Sequence, residues 1–200
     1  MKSLSTFIFL FVVAAVFGQE SFDRSSVEAF QKELNTEFAN PEHSPLMEED
    51  LKQFKSLDFF PINEALAVTA TFVKSKEEKS FEMKTTTERL PLYIKYGELH
   101  FTIDGKGFKL DVFQNLDLIK KKGYRDHLFL PFSDLTSGNE SYIGGRYIDL
   151  KKPDGKTVLI DFNKSYNPYC AYNYKYSCPI VPLQNDLNIE IKAGVKKFHD

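Results

Sequence analysis

Phe101-Thr102-Ile103-Asp104-Gly105-Lys106-Gly107-Phe108-Lys109-Leu110-Asp111-Val112 reads as a β-hairpin. Apolar residues at 101 and 103, then at 108, 110 and 112, alternate with polar ones, so each run sends its apolar side chains to one face of a strand. Between the runs stands Asp-Gly, a pair that accepts the positive φ angles of a tight hairpin turn. Short runs of similar character extend outward on both sides. Before the turn they lie at 65–73, 79–84, 90–96 and 98–103; after it, at 107–114, 128–132, 146–150, 157–162 and 187–192. Lys152-Pro153-Asp154-Gly155-Lys156 predicts a second hairpin turn, between the strands at 146–150 and 157–162. About nine strands with close turns, and no strand–helix alternation, predict a mainly β (α+β) fold. The expected architecture is a curled antiparallel sheet or barrel-like sandwich with N-terminal helices packed against it.

Those helices are legible from their own signals. Ser25-Ser26-Val27-Glu28 has the form of a capping box, and Val27, Phe30, Leu34 and Phe38 follow at helical spacing. Ser44-Pro45 opens a second short helix that runs to about Phe54. Ahead of both, Lys2 precedes an unbroken apolar run from Phe7 to Phe17, and Val16-Phe17-Gly18 offers small residues for a cut. A membrane span needs about 20 apolar residues, so this run reads as an export signal cleaved after Gly18, leaving no stable membrane anchor. The expected organisation is a signal at 1–18, a helical segment at 19–43 and one β-rich domain at 44–200. The mature protein is expected in the periplasm or secreted.

Charge excludes one class of partner. The chain carries 26 basic and 28 acidic residues, a formal charge of −2 that becomes −3 once Lys2 leaves with the signal. A nucleic-acid binder would show a basic face or stripe, which is absent. There is also no phosphate loop, no Gly-x-Ser-x-Gly elbow and no His-Glu-x-x-His, so no cofactor or metal is expected. The oligomeric state is left open.

Polar residues concentrate in the final third. Ser133, Asp134, Thr136, Ser137, Asn139, Glu140, Ser141 and Tyr142 crowd the stretch before Gly144-Gly145-Arg146. Two accounts are open. In one they cap a surface loop, and Arg146 pairs with Asp134, Asp149 or Asp161. In the other, Asp134 and Glu140 act as acid/base groups or metal ligands, and Arg146 holds an anion. Asp161 and Asn163 end a buried strand and are placed either for a cleft or to tie down the next loop. Half of the ten tyrosines fall between Tyr166 and Tyr176.

The cysteines constrain that tyrosine-rich segment. Cys170, Tyr172, Tyr174, Tyr176 and Cys178 share one parity, so a straight strand would align them all. It would also hold the cysteines roughly 27 Å apart, whereas a disulfide needs Cα atoms within about 7 Å. Pairing therefore requires the segment to double back, with Tyr172 facing Tyr176 and Tyr174 near the tip. Two cysteines in an exported chain most often pair. Closing the loop contributes on the order of 2.5 kcal/mol in the chain-entropy model. A shared metal would need two further ligands, and no histidine is near in sequence. A Cys170–Cys178 disulfide is the expectation.

The run Phe129-Leu-Pro-Phe132-Ser-Asp134-Leu-Thr136-Ser-Gly138-Asn-Glu140-Ser-Tyr142 belongs to a larger pattern. Gly-Gly-Arg146-Tyr147, Asp161-Phe-Asn163 and Tyr166-Asn-Pro-Tyr-Cys170-Ala-Tyr-Asn through Cys178-Pro179 follow it. Together they resemble domain of unknown function 1684, a bacterial and archaeal family, here as an exported bacterial member. The likeness runs from Ser44-Pro45-Leu46 to Ala193-Gly194, with fewer prolines after Cys178 than the family pattern. The resemblance implies that Asp134, Thr136, Glu140, Tyr142, Arg146, Asp161, Asn163, Asn167 and both cysteines are part of that pattern, without assigning roles.

The resulting expectation is a face where the 132–147 and 163–179 loops meet and bind a small polar or anionic ligand, such as a saccharide or envelope fragment. Thr136, Tyr142, Arg146, Asp161, Asn163, Asn167 and Tyr174 are the candidate contacts, with Arg146 as the charged anchor. The alternatives are a hydrolase using Asp134 or Glu140, and an envelope interaction module contacting its partner through the tyrosine-rich loop.

Overall fold

The computed structural model describes residues 21–76 and 78–199, so the signal read at 1–18 lies outside the described residues. Helix α1 spans Arg24–Ala39. Its cap is Asp23, not Ser25 as the capping-box pattern suggests. The Asp23 carboxylate accepts from both the Ser25 N–H at 2.9 Å and the Ser25 hydroxyl at 2.7 Å, which pulls Ser25 into the first turn. Helix α2, Glu48–Gln53, starts later than Ser44-Pro45 predicts, because the Ser44 hydroxyl accepts from the Leu46 N–H and makes a turn instead. Phe38 and half-buried Leu34 of α1 pack on Leu46, Leu57, Tyr172 and Val195 in a small core of their own.

Eight strands follow: β1 Ala67–Lys74, β2 Phe81–Glu82, β3 Leu92–Ile103, β4 Lys106–Asn115, β5 His127–Asp134, β6 Arg146–Lys151, β7 Thr157–Asp161 and β8 Asp186–Leu187. The sheet runs β6-β5-β4-β3-β1-β7 with every neighbour antiparallel, while β2 adds to β3 and β8 lies parallel beside β5. The β3–β4 turn is the hairpin read from sequence, with Asp104 and Gly105 both at positive φ. The runs at 90–96 and 98–103 are one strand, interrupted by a bulge between Lys95 and Gly97 that breaks the alternation.

Two expectations about strands fail. The stretch 187–192 leaves the sheet after Leu187, because the Ile191 N–H goes to the Asp134 carboxylate rather than to a neighbouring strand. Residues 152–156 do not close a hairpin either. Strands β6 and β7 stand at opposite ends of the sheet order. Six chain steps reach at most about 21 Å, so the sheet must curl until its two edges approach one another. The result is a mainly β, half-barrel sheet with few helices.

Leu99, Phe101, Leu110, Val112, Leu128, Leu130, Phe132, Ile148 and Ile160 line the inside of the curl, closed by Leu187, Ile191 and Ala193 from the C-terminal segment. The outer face carries a second aromatic cluster of Tyr93, Phe113, Phe129 and Tyr147 with Met83. Beside it, Glu98 accepts from Lys95 at 2.7 Å, Lys109 at 3.1 Å and His100 at 3.0 Å, so His100 has a partner that its sequence context did not suggest. The two ammonium groups, helped by His100, lower the Glu98 pKa to about 2. Its folded pKa is below the unfolded value, so its stabilisation is present above the ordinary carboxylate range and is lost as pH falls through that range towards 2. Because the network faces solvent, the loss is about 1 kcal/mol. Urea midpoints measured between pH 5 and pH 2 should fall less steeply in Glu98→Gln than in the parent; parallel slopes would remove Glu98 from the account.

Candidate functional site

Strand β5 ends in Asp134 and β6 begins at Arg146, so antiparallel pairing brings the two ends of the polar loop together. Arg146 is fully buried. Its guanidinium donates to Asp134 at 2.9 Å, to the Ile191 carbonyl at 2.8 Å and to the Ala193 carbonyl, and it lies between the Phe60 and Phe132 rings at 5.7 and 5.2 Å. Burial pulls its pKa down, and the adjacent carboxylate opposes that. The other Asp134 oxygen accepts from the Thr136 and Ile191 N–H groups. The Arg146 Nη donors all point to protein groups, which weighs against this arginine as a ligand anchor. Asp134 is equally withdrawn from solvent.

Most of the other candidate residues have similar duties. The Thr136 hydroxyl pairs with Ser141 at 2.8 Å. Asp161 accepts from the Asn163 backbone and side chain, and Asn163 exchanges two hydrogen bonds with the Asn63 main chain. Asn167 donates to the Lys196 carbonyl. Asn163 thereby fastens Asn63, and Asn167 fastens Lys196. Glu140 is on the surface, paired with Lys192 at 2.9 Å. At Gly194 the chain turns with φ +76°, and a Cβ there would stand 2.5 Å from the Ser165 carbonyl oxygen, so this junction requires glycine.

The tyrosine-rich segment doubles back. The Cys170 N–H donates to Cys178 Sγ at 3.2 Å, so the straight-strand alternative is excluded. Both cysteines are free thiols here, neighbours through that N–H···S contact and not joined sulfur to sulfur. Tyr172 does not face Tyr176. It is buried against Phe38 at 4.7 Å and Phe198 at 5.1 Å, because α1 and the C-terminal tail offer it a core, and Tyr176 packs on Tyr169 instead. Tyr174, at the tip, is 86% exposed.

The 132–147 and 163–179 loops do meet, at Tyr142 and Cys170, whose hydroxyl and sulfur are 3.9 Å apart. Beside that contact is a groove of about 320 Å³ lined by Gly138, Ser141, Tyr142, Ile143, Ala171, Lys197, Phe198 and His199. Tyr142, Ile143 and Phe198 give it apolar walls, and Lys197 and His199 also line it. His199 reaches Asp50 at 3.3 Å, so this tail histidine has a partner too. Ile143 is 77% exposed despite its size. Burial, together with the nearby Cys170, pushes the Tyr142 hydroxyl pKa up to about 12. A larger depression between Glu28 and Asn40 is lined by one face of α1 alone, so no second element closes over it. Among the described residues, no three of His, Cys, Asp or Glu converge as a metal site would require, and no helix is long and apolar enough to cross a membrane.

The family model described as protein of unknown function (DUF1684) matches residues 52–196, from α2 through the Arg146-bound segment to Asn167's partner Lys196. The chain belongs to the DUF1684 family. A solution NMR structure of an uncharacterised protein from Haloarcula marismortui is similar to it, with a TM-score of 0.68 and 31% identity, covering 86% of this chain and 92% of that one. No curated protein matches the chain. The DUF1684 match spans every polar pin described above, whereas the groove draws Lys197, Phe198 and His199 from beyond its end. No sequence signal marked those three residues or Ile143. They become neighbours only because Asn167 and Ser165 dock the tail against the 162–171 segment.

Proposed function

We propose that this DUF1684 protein binds a small polar or anionic ligand, a saccharide phosphate or similar envelope fragment, in the groove between Tyr142 and Phe198. The observation that carries this reading is the groove itself, lined by Tyr142 from the loop side and Phe198 from the C-terminal tail, with Lys197 and His199 among its lining residues. Its volume falls at the lower end of the range for small-ligand sites. Tyrosine and phenylalanine faces suit a sugar ring, and Lys197 and His199 suit an anionic substituent. Tyr142 thus remains a contact, while Lys197 takes the place of Arg146 as the charge nearest the ligand and His199 offers a ring N–H. Hydrolysis through Asp134 or Glu140 has less support, because the first is buried in an ion pair and the second is tied to Lys192 at the surface. An envelope interaction module would rest on the exposed Tyr174 ring alone. The apolar run at 7–17 supports export by cleavage after Gly18, and in an oxidising compartment Cys170 and Cys178 would close to a disulfide.

The test is thermal unfolding of the full chain with glucose 6-phosphate, glucose or inorganic phosphate. Ligand at a hundredfold excess over Kd stabilises by about 2.7 kcal/mol, which raises Tm by roughly 5–10 °C for a domain of this size. Glucose 6-phosphate should raise Tm more than either fragment, and Ile143→Asp should abolish the shift without changing the Tm of the free protein. An unmoved Tm with all three probes would remove the reading; an equal shift in Ile143→Asp would place binding elsewhere.

A further inference from the structure

The two sulfurs are not equivalent. Cys170 is half-buried at the edge of the groove, next to the lining residue Ala171, whereas Cys178 is buried. Polar groups gather at the Cys170 sulfur: the Tyr142 hydroxyl lies 3.9 Å away, and the Cys178 thiol and Thr86 hydroxyl are its other neighbours. Thr86 is itself held in place, since its hydroxyl accepts from the Cys178 N–H at 3.1 Å and its own N–H donates to the Cys178 carbonyl at 2.9 Å. Ser177, between the tip and Cys178, is clamped by Thr85, Thr87 and Arg89. One sulfur therefore stands on a fixed strap, and the other on a short 3₁₀ turn at Tyr169–Ala171 that opens towards solvent.

We infer that Cys170 and Cys178 form a thiol–disulfide exchange site for small disulfide compounds, with Cys170 as the attacking sulfur and Cys178 as the resolving sulfur. This goes beyond ligand binding in the groove and takes from the proposal above only that the two cysteines can bond. In the first step the Cys170 thiolate attacks one sulfur of the external disulfide. That S–S bond breaks, and the departing thiolate carries away the electron pair and takes a proton from water. In the second step Cys178 gives its proton to water and attacks the Cys170 sulfur, releasing the second external thiol as the Cys170–Cys178 bond forms. The external disulfide is reduced to two thiols, and the protein dithiol is oxidised to a disulfide.

The order of attack follows first from access, since Cys170 is half-buried at the groove and Cys178 is buried. Donation by the Cys178 thiol, then by Tyr142 and Thr86, outweighs burial and lowers the Cys170 pKa to about 6. Cys178 is pushed the other way by that same donation and by its burial. Once Cys170 is consumed in a mixed disulfide, the donation ends. The Cys170 N–H, 3.2 Å from Cys178 Sγ, is then positioned to stabilise the second thiolate.

Reduced full-length protein treated with oxidised glutathione tests this by intact mass and peptide mapping. Wild type should lose two hydrogens and retain no adduct, while Cys178→Ser should retain one glutathionyl group on Cys170. An iodoacetamide pulse on wild type is independent of how that variant folds. Lowered nucleophilicity offsets much of the gain in thiolate near neutral pH, so the pulse is made at about pH 5.5, where Cys170 should react about tenfold faster than free cysteine. Cys178 should remain unlabelled. Equal labelling of the two cysteines, a Cys170 rate no higher than free cysteine, or a wild type that neither closes nor forms an adduct would each overturn the assignment.

Discussion

Arg146→Ala should destabilise the chain by about 3–5 kcal/mol. The guanidinium is fully buried and bonds the Asp134 carboxylate and the carbonyls of Ile191 and Ala193. Removing it strands a buried carboxylate and two carbonyls, and breaking such a pair from one side costs about 3–5 kcal/mol. That is a large fraction of a total stability of about 5–15 kcal/mol. Urea unfolding followed by circular dichroism measures the effect. The double variant Arg146→Met, Asp134→Asn separates the ion pair from simple packing: removing both charges while keeping an acceptor for the Thr136 and Ile191 N–H groups should recover more than about 1 kcal/mol relative to Arg146→Met alone. A folded Arg146→Ala with an unchanged midpoint and no response to glucose 6-phosphate would instead restore the arginine as the ligand anchor.

Asn185→Leu is expected to cost about 3 kcal/mol or more, because three strand backbone groups would lose their partner, at about 1–3 kcal/mol each. Strands β4 and β5 pair directly only at Phe113 and Phe129. Beyond that point Asn185 replaces the ladder. Its amide donates to the carbonyls of Asp111 at 2.8 Å and Pro131 at 2.6 Å, and its oxygen accepts from the Asp111 N–H at 2.8 Å. Leucine keeps the branched shape and removes the hydrogen bonds, with some added bulk at a fully buried position. Amide exchange should speed up at Asp111 ahead of global unfolding. A midpoint within about 0.5 kcal/mol of the parent would show that the strands hold together without it.

Both residues show where sequence reading stops. Arg146 stood out because an arginine after Gly144-Gly145 in a polar stretch looks like part of a site. Its direction could not be read, since pleat parity gives the face of a strand and not whether that face is later covered. Phe60, Ile191 and Ala193 cover it, and they arrive from about 86 residues before and 45–47 after. Asn185 carried no signal, because its duty is to a gap between two distant strands. Thr136, Asp161, Asn163 and Asn167 were noticed for their polarity, but that polarity is turned inward to fasten loops. The groove lining shared only Tyr142 with the candidates read from sequence.

Short-range chemistry was enough for a good deal. Alternation and Asp-Gly specified the β3–β4 hairpin, helical spacing specified α1, and the reach of two cysteines required the 170–178 segment to bend if their sulfurs were to meet. These depend on neighbours within a few residues, where backbone geometry leaves few choices. Long-range pairing decided the rest. It set β7 beside β1 instead of β6, sent the 189–196 segment into the core, and laid the C-terminal tail along Ile143. A local pattern cannot encode these outcomes, because each is settled by which buried N–H and C=O groups find partners once the sheet has curled.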